Sequence, residues 1–370
     1  MNKVGIITMH RVVNYGSALQ AWATQKIIQI IGCDPVIIDY VYPNKKHKTR
    51  NVSPILCLIR YIKNIFQGFP LKRKQVFFKD FWNKNYCLTR TYNSEDELMS
   101  NPPLFDKYLV GSDQVWNFDY INNDSSFFLK FAPKGKFKFS YASSFSKGKL
   151  DEGMLKSLEK HLKEFSAVSV REKNGYNIVK NIFTGPLSIN LDPTLLLNIQ
   201  DYQSLIHQSA MRIDESYILV YVLNYAYNPY PYATKFIEEA ASQLNMKVVC
   251  IDFSARQHLK VKDLLHLHDA IGPCEFLWLF SHASLVITTS FHGTAFAINF
   301  NKAFYSIIND VNDGDDRMRS LIMQCGLESR MIVKNGVIPA ITKDVDFVEA
   351  NNRLSELRRE STEYLKTNLR

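Results

Sequence analysis

The chain has 370 residues, more than one hydrophobic core usually spans, so two domains are expected. Hydrophobic residues make up 46% and charged residues 22%, the balance of an ordinary soluble globular protein, and no apolar run approaches the ~18 residues of a membrane span. A formal net charge of +9 suits an anionic partner: a phosphorylated small molecule, an acidic glycan or anionic lipid headgroups. Nucleic acid is not expected, because there is no aromatic-and-basic repeat and no known binding motif. The six cysteines, Cys33, Cys57, Cys87, Cys250, Cys274 and Cys325, form no CxxC pair, which argues against zinc and a disulfide framework and for free thiols in a reducing compartment. The N-terminus lacks the long apolar stretch of a signal peptide, so the expected location is the cytoplasm.

Lys3–Thr8 reads as a buried parallel strand, followed by a loop from Met9 to Ser17. Leu19, Trp22, Ala23, Ile27, Ile30 and Ile31 recur at helical spacing, predicting a helix over 18–31 that stops at Gly32. Pro35–Tyr40 is the second strand, and the unit is a right-handed parallel crossover. Lys45–Arg50 is a basic cluster. Residues 54–80 interleave apolar and basic side chains in the manner of a basic amphipathic helix. Such a helix can lie on a membrane surface or pack its apolar face on its own domain, which is the commoner fate. Strands over 105–111, 137–142 and 167–170 each run into a short polar loop, bearing Asp113, Ser143-Ser144 and Arg171 in turn. Asn190–Thr194 closes this half, and Asp192 before Pro193 reads as a turn residue.

The polar region 198–215 marks a domain junction. A second α/β half follows, with strands over 217–223, 247–252, 285–289 and 303–308 and helices over 232–244 and 276–282. Then come an acidic loop (310–316), a helix bearing Arg317 and Arg319, and a polar helix over 344–370. His266, His268 and Asp269 suggest a metal cluster at first sight, but no third ligand stands at a recognisable spacing, so they read as polar loop residues. The most informative segment is Leu285–Phe300, LVITTSFHGTAFAINF. A buried strand, a Gly-containing polar turn and a small-residue helix start are the layout of a ligand loop in an open α/β sheet, where a helix N-terminus favours an anion. His292 in that turn could bind a phosphate or carboxylate, move a proton, or serve as a core histidine. The inferred architecture is two doubly wound, Rossmann-like halves facing a central cleft. The expected N-terminal domain spans 1–198 on the acceptor side, with a basic helical insertion at about 45–100; the donor-side C-terminal domain spans 199–345, and a C-terminal helix 346–370.

The loops then match a family. GIITMHRVVNYGSALQAWATQ, YLVGSDQVWN, SYASSF, VSVREKNG, LDPTLLL, ITTSFHGTAFAINFNKAF and DDRMRSL, in this order, resemble the polysaccharide pyruvyl transferases over nearly the whole length. The resemblance implies a fold similar to the GT-B glycosyltransferases. It implies transfer of pyruvate from phosphoenolpyruvate onto two hydroxyls of a sugar in a cell-surface polysaccharide precursor, giving a cyclic ketal and phosphate. It also implies His292 as acid or phosphate ligand, Arg171 as the cation for the donor's carboxylate or phosphate, and Asp113 as base or acceptor-hydroxyl ligand. Ser290, Phe291, Gly293, Thr294 and Arg317 fall on the donor side, His10 and Asn14 on the acceptor side. One departure stands out: better characterised members carry arginine two residues before the histidine, where this chain has Ser290. Arg317 or Arg319 is the candidate replacement.

Expected partners are phosphoenolpyruvate and a lipid-linked or polymeric glycan, with peripheral contact at the inner membrane face open to the basic 45–79 region. No cofactor and no metal are expected. Two competing readings are a GT-B-type glycosyltransferase using a nucleotide sugar and a non-catalytic glycan-binding relative.

Overall fold

The apolar runs become parallel strands wherever a helical crossover separates them, and the chain builds two such sheets. The computed structural model describes residues 1–41, 71–251, 259–267, 271–311 and 314–370. In the first sheet β1 (Lys3–Ile7), β2 (Asp34–Ile37), β3 (Lys107–Val110) and β4 (Phe137–Ser140) lie in the order β2-β1-β3-β4. Every pair is parallel, with Ile6 opposite Ile37 on one side and Leu109 on the other. A parallel pair, β5 (Val168–Val170) and β6 (Leu187–Ile189), extends this sheet through single bridges from Phe139 to Ala167 and from Ser143 to Val170. The second sheet holds β7 (Tyr217–Tyr221), β8 (Lys247–Ile251), β9 (Leu264–His266), β10 (Leu285–Thr288), β11 (Phe304–Ile308) and β12 (Met331–Val333). Its order is β12-β11-β10-β7-β8-β9, again all parallel. The strand order reverses between β1 and β3 and between β7 and β10. At such switch points the two neighbouring crossovers run to opposite faces and leave a crevice at the strand ends.

Among the helices, α1 (Tyr15–Ile31) starts three residues earlier than its apolar spacing predicts. Asn14 is the reason. Its side chain accepts from the Ser17 backbone N–H at 3.1 Å, so Gly16 and Ser17 form a first helical turn and not a loop. Gly32 closes the helix with φ 96°, a left-handed value that glycine adopts freely. The described part of the basic amphipathic region is α2 (Leu71–Asn85), which buries Phe78 and Phe81 in the core. The basic cluster at 45–50 and the apolar residues 55–66 lie outside the described residues. The short strands β6, β9 and β12 give too little pattern to be read from sequence. As a result His266, expected in a loop, sits in the edge strand β9, while His268 and Asp269 lie outside the described residues.

Further helices are α3 (Pro273–His282), α4 (Phe291–Asn299), α5 (Arg317–Gln324) and α6 (Val348–Leu369). One hydrophobic core joins the two halves. The Tyr15 ring at the start of α1 stacks on Phe276 of α3 at 4.8 Å and meets Tyr221 of β7 at 6.0 Å. Burying each such ring contributes on the order of 2 kcal/mol. The last helix, α6, runs back over the first half. Tyr364 Oη donates to the Ser140 carbonyl at 2.9 Å, and Asn2 Nδ2 donates to the Leu369 carbonyl at 2.9 Å. Arg358 Nε donates to the Leu195 carbonyl at 2.6 Å and its Nη2 to Asn299 Oδ1 at 2.8 Å. Among the described residues, no helix is long and apolar enough to cross a membrane.

Candidate active site

Each half presents its strand-end loops to the crevice. In the first half, the capped start of α1 turns the Ser17 hydroxyl inward, where it donates to Asp113 Oδ2 at 2.5 Å. Asp113 follows β3 in the left-handed region at φ 67°, a conformation aspartate tolerates better than most residues. Arg171 follows β5 and is buried. Its Nη1 donates to Asp192 Oδ2 at 2.6 Å, its Nη2 lies 3.8 Å from Asp113 Oδ1, and its guanidinium lies 4.3 Å from the centre of the Phe291 ring of the other half. Asp192 is the hub. Its Oδ1 accepts from the Thr194 backbone N–H and hydroxyl, and its Oδ2 is 3.2 Å from Ser112 Oγ and 3.5 Å from His292 Nε2. Burial by itself would raise its pKa. His292, Arg171 and Thr194 outweigh that and hold the carboxyl well below the usual carboxylate range.

In the second half the β10–α4 turn is fixed from several sides. Ser290 caps α4, its hydroxyl accepting from the Gly293 N–H at 3.4 Å and its carbonyl from the Thr294 N–H at 2.9 Å. The Thr294 hydroxyl pairs with Ser306 Oγ at 2.6 Å. A Cβ at Gly293 would stand 2.3 Å from Thr288 Oγ1, so only glycine fits against the strand end. These constraints deliver His292, 7% exposed, into contact with the first half: a Cβ at Gly16 would lie 2.0 Å from His292 Nδ1. Glycine at position 16 is therefore a notch that seats the histidine ring. Beside it, buried Arg317 donates from Nε to Asp315 Oδ1 at 2.6 Å and from Nη2 to Asp315 Oδ2. Burial tends to raise the Asp315 pKa, and Arg317 overrides it to give a net lowering. Ser146 Oγ donates to Asp315 Oδ2 at 3.3 Å and Asn174 Nδ2 to the Gly314 carbonyl at 3.0 Å, stitching the halves together at the rim.

Several buried polar atoms have no hydrogen-bond partner: Arg171 Nε, Arg171 Nη2 and His292 Nε2. Unmet donors on buried, charge-bearing groups are costly, and an incoming anion relieves that cost. Glu172 adds to the polarity. Its Oε1 accepts from Ser144 Oγ at 3.0 Å and the Phe145 N–H at 2.8 Å, while its Oε2, also unpartnered, lies 4.0 Å from Arg171 Nε. Burial pushes the Glu172 carboxyl up from its ordinary value. Among the described residues, no group of three or more His, Cys, Asp or Glu is placed to hold a metal.

Of the residues singled out from sequence, Asp113, Arg171, Phe291 and His292 meet at one point, with Arg317 close by. Ser290, Gly293 and Thr294 hold the turn, and the Ser290 and Thr294 side chains are engaged in doing so. His10 stands apart. It is 1% exposed, with Nε2 3.0 Å from Asp39 Oδ1 and Nδ1 3.2 Å from the Thr8 carbonyl, so both ring nitrogens are engaged within the first half. Asn14 spends its amide oxygen on the α1 cap. Arg319 is partly exposed and donates to the Val311 carbonyl. Sequence reasoning missed Asp192, Glu172 and Gly16. Asp192 does cap the turn that its Asp-Pro-Thr sequence announces, and that local role hid the contacts it makes with Arg171 and His292.

Comparison with known proteins agrees with this layout. The chain resembles UDP-N-acetylglucosamine 2-epimerase from Rickettsia bellii at a TM-score of 0.54 and 10% identity, over 100% of this chain and 97% of that one. It resembles UDP-GlcNAc 2-epimerase from Methanocaldococcus jannaschii at 0.51 and 11%, over 97% and 92%. It also resembles Arabidopsis thaliana UGT89C1 at 0.52 and 12%, over 100% and 97%. These likenesses concern the two-Rossmann, GT-B-type fold alone. No curated protein matches the sequence. The family profile for polysaccharide pyruvyl transferase matches residues 14–311, which include the α1 cap, Asp113, Arg171, Asp192 and the His292 turn. On that match, the chain belongs to the polysaccharide pyruvyl transferase family.

Proposed function

We propose that this chain moves pyruvate from phosphoenolpyruvate onto two hydroxyls of a sugar in a lipid-linked or polymeric glycan, forming a cyclic ketal and releasing phosphate. The observation that carries the reading is the set of unpartnered donors, Arg171 Nε and Nη2 and His292 Nε2, gathered around Asp192 from opposite halves. Phosphoenolpyruvate offers a carboxylate and a phosphate, and a guanidinium fork and an imidazole N–H suit such a pair. Arg171 holds the donor, and Arg317 supplies the cation that Ser290 does not. His292 delivers a proton to the methylene carbon, which makes the adjacent carbon electrophilic. The first sugar hydroxyl adds there and gives its proton to Asp113. The bond to phosphate then breaks and the second hydroxyl closes the ketal. Asp113 passes its proton to the departing phosphate, and the proton of the second hydroxyl restores His292 in place of the one now on the methyl group. Asp192 orients Arg171 and His292 together.

Phosphate release from phosphoenolpyruvate in the presence of galactose- or mannosamine-type lipid-linked acceptors tests the activity. Release is expected from the wild type and is expected to fall steeply in His292→Ala. No release by the wild type across these acceptors would count against the reading. Thermal shift by phosphoenolpyruvate and not by nucleotide sugars separates it from a glycosyltransferase on the same scaffold. The net positive charge of the chain supports peripheral docking at a lipid surface carrying such an acceptor.

A further inference from the structure

The catalytic recess opens toward solvent through a cleft in the second half that the chemistry above leaves unused. Its walls are the loops after β7 and β11, its floor the Thr289–Phe291 turn, and one side is closed by Arg317 and Arg319. Tyr225 lines this cleft and is 60% exposed, whereas neighbouring Tyr227 is tied by its hydroxyl to the Ile307 carbonyl at 2.6 Å. Thr289 fixes the floor to the wall, its hydroxyl engaging both the backbone N–H and the carbonyl of Leu223 at 2.7 and 2.8 Å. Asn309 and Asp310, from the loop after β11, line the cleft together with Arg319. A second, narrower opening lies between α5 and α6, and Leu321 and Leu357 line it. Phe291 and Arg317 line both openings, and Arg171 and Asp192 line the second, so the reaction centre lies between them.

We infer that the cleft around Tyr225 is the subsite for the acceptor's sugar ring, placed in the second half and not beside His10 and Asn14. The inference rests on the pyruvyl transfer proposed above for the choice of sugar as ligand. A pyranose has an apolar C–H face and a rim of hydroxyls. An open aromatic face beside an amide, a carboxylate and a guanidinium is complementary to both. The pinned walls mean that little order has to be created on binding. The floor is the turn that carries His292, so a ring stacked on Tyr225 presents its edge to the residues that hold the donor. The second opening also carries polar side chains, among them Asn190, Gln324, Glu360 and Ser361, but the one aromatic in its lining, Phe291, is buried, so it offers no open aromatic face.

The test measures glycoside binding to the full chain by saturation-transfer NMR, with methyl β-galactoside and methyl N-acetylmannosaminide as probes and phosphoenolpyruvate binding followed separately by calorimetry. Tyr225→Ala is expected to weaken the bound glycoside roughly tenfold or more, Tyr225→Phe by less than about twofold, and neither to change phosphoenolpyruvate affinity. Phosphoenolpyruvate is expected not to displace the sugar. Unchanged glycoside binding in Tyr225→Ala, displacement by phosphoenolpyruvate, or failure of the wild type to bind either glycoside overturns the subsite. Failure of the wild type to bind phosphoenolpyruvate instead overturns the pyruvyl-transfer reading, and the two failures are read independently.

Discussion

Asp192 sets the terms at the scale of single residues. Its carboxylate is approached from two directions, by the Arg171 guanidinium within its own half and by the His292 ring, 3.5 Å away, from the other. With its pKa below the ordinary range, its contribution to stability is complete above about pH 4 and is lost as pH falls from there. Chemical denaturation between about pH 6 and 3 is therefore expected to show a steeper loss for the wild type than for Asp192→Asn. The variant is itself less stable at neutral pH by about 3 kcal/mol, because it leaves Arg171 buried with a weakened partner. His292→Ala is expected to cost about 10²- to 10⁴-fold in phosphate release, the usual worth of a positioned acid. Arg171→Lys should weaken phosphoenolpyruvate binding roughly tenfold or more in a calorimetric titration, because a point charge cannot reproduce the guanidinium fork. The identities of Arg171, Asp113 and His292 were readable because each follows an apolar strand. Asp192 and Glu172 were not. Asp192 is explained locally by its turn, Glu172 simply follows Arg171, and only the fold shows that both lie within 4.0 Å of the same guanidinium.

Elements position these residues through their ends. The periodic parts of α1, α4 and the central strands were legible because burial imposes their spacing. The three-residue strands β6, β9 and β12 were not, since their placement comes from pairing with neighbours. Gly16 belongs to this scale. Inside a helix, glycine to alanine ordinarily stabilises by about 1 kcal/mol. Here the added methyl would stand 2.0 Å from the imidazole. Gly16→Ala is expected to keep the helical content seen by circular dichroism, yet to lower both the melting temperature and the rate of phosphate release. Ser290 illustrates the opposite case, a short polar residue whose local duty is visible. Replacing it by arginine removes the α4 cap, worth about 1 kcal/mol, but restores a cation to the donor side. Ser290→Arg should therefore melt earlier while binding phosphoenolpyruvate at least as tightly. Weaker binding would mean that the pocket holds its donor without that position.

The whole molecule closes on itself through α6 and the aromatic joint at Tyr15. Two sheets could be expected from length and strand spacing; the return of the last helix onto the first half could not, because its Leu354, Leu365 and Leu369 fit any amphipathic partner. Leu365→Ala is expected to destabilise the fold by about 2–4 kcal/mol in urea titration. Its effect on catalysis should follow unfolding alone, since the site is built elsewhere. The contact between Gly16 and His292 has a broader consequence. A notch near one end of the chain and a ring near the other behave as a single heritable unit. No side chain can be gained at position 16 while the imidazole keeps its seat. Drift at either position is therefore answerable to the other, and any lineage that abandons the histidine is the first in which the glycine becomes free to vary.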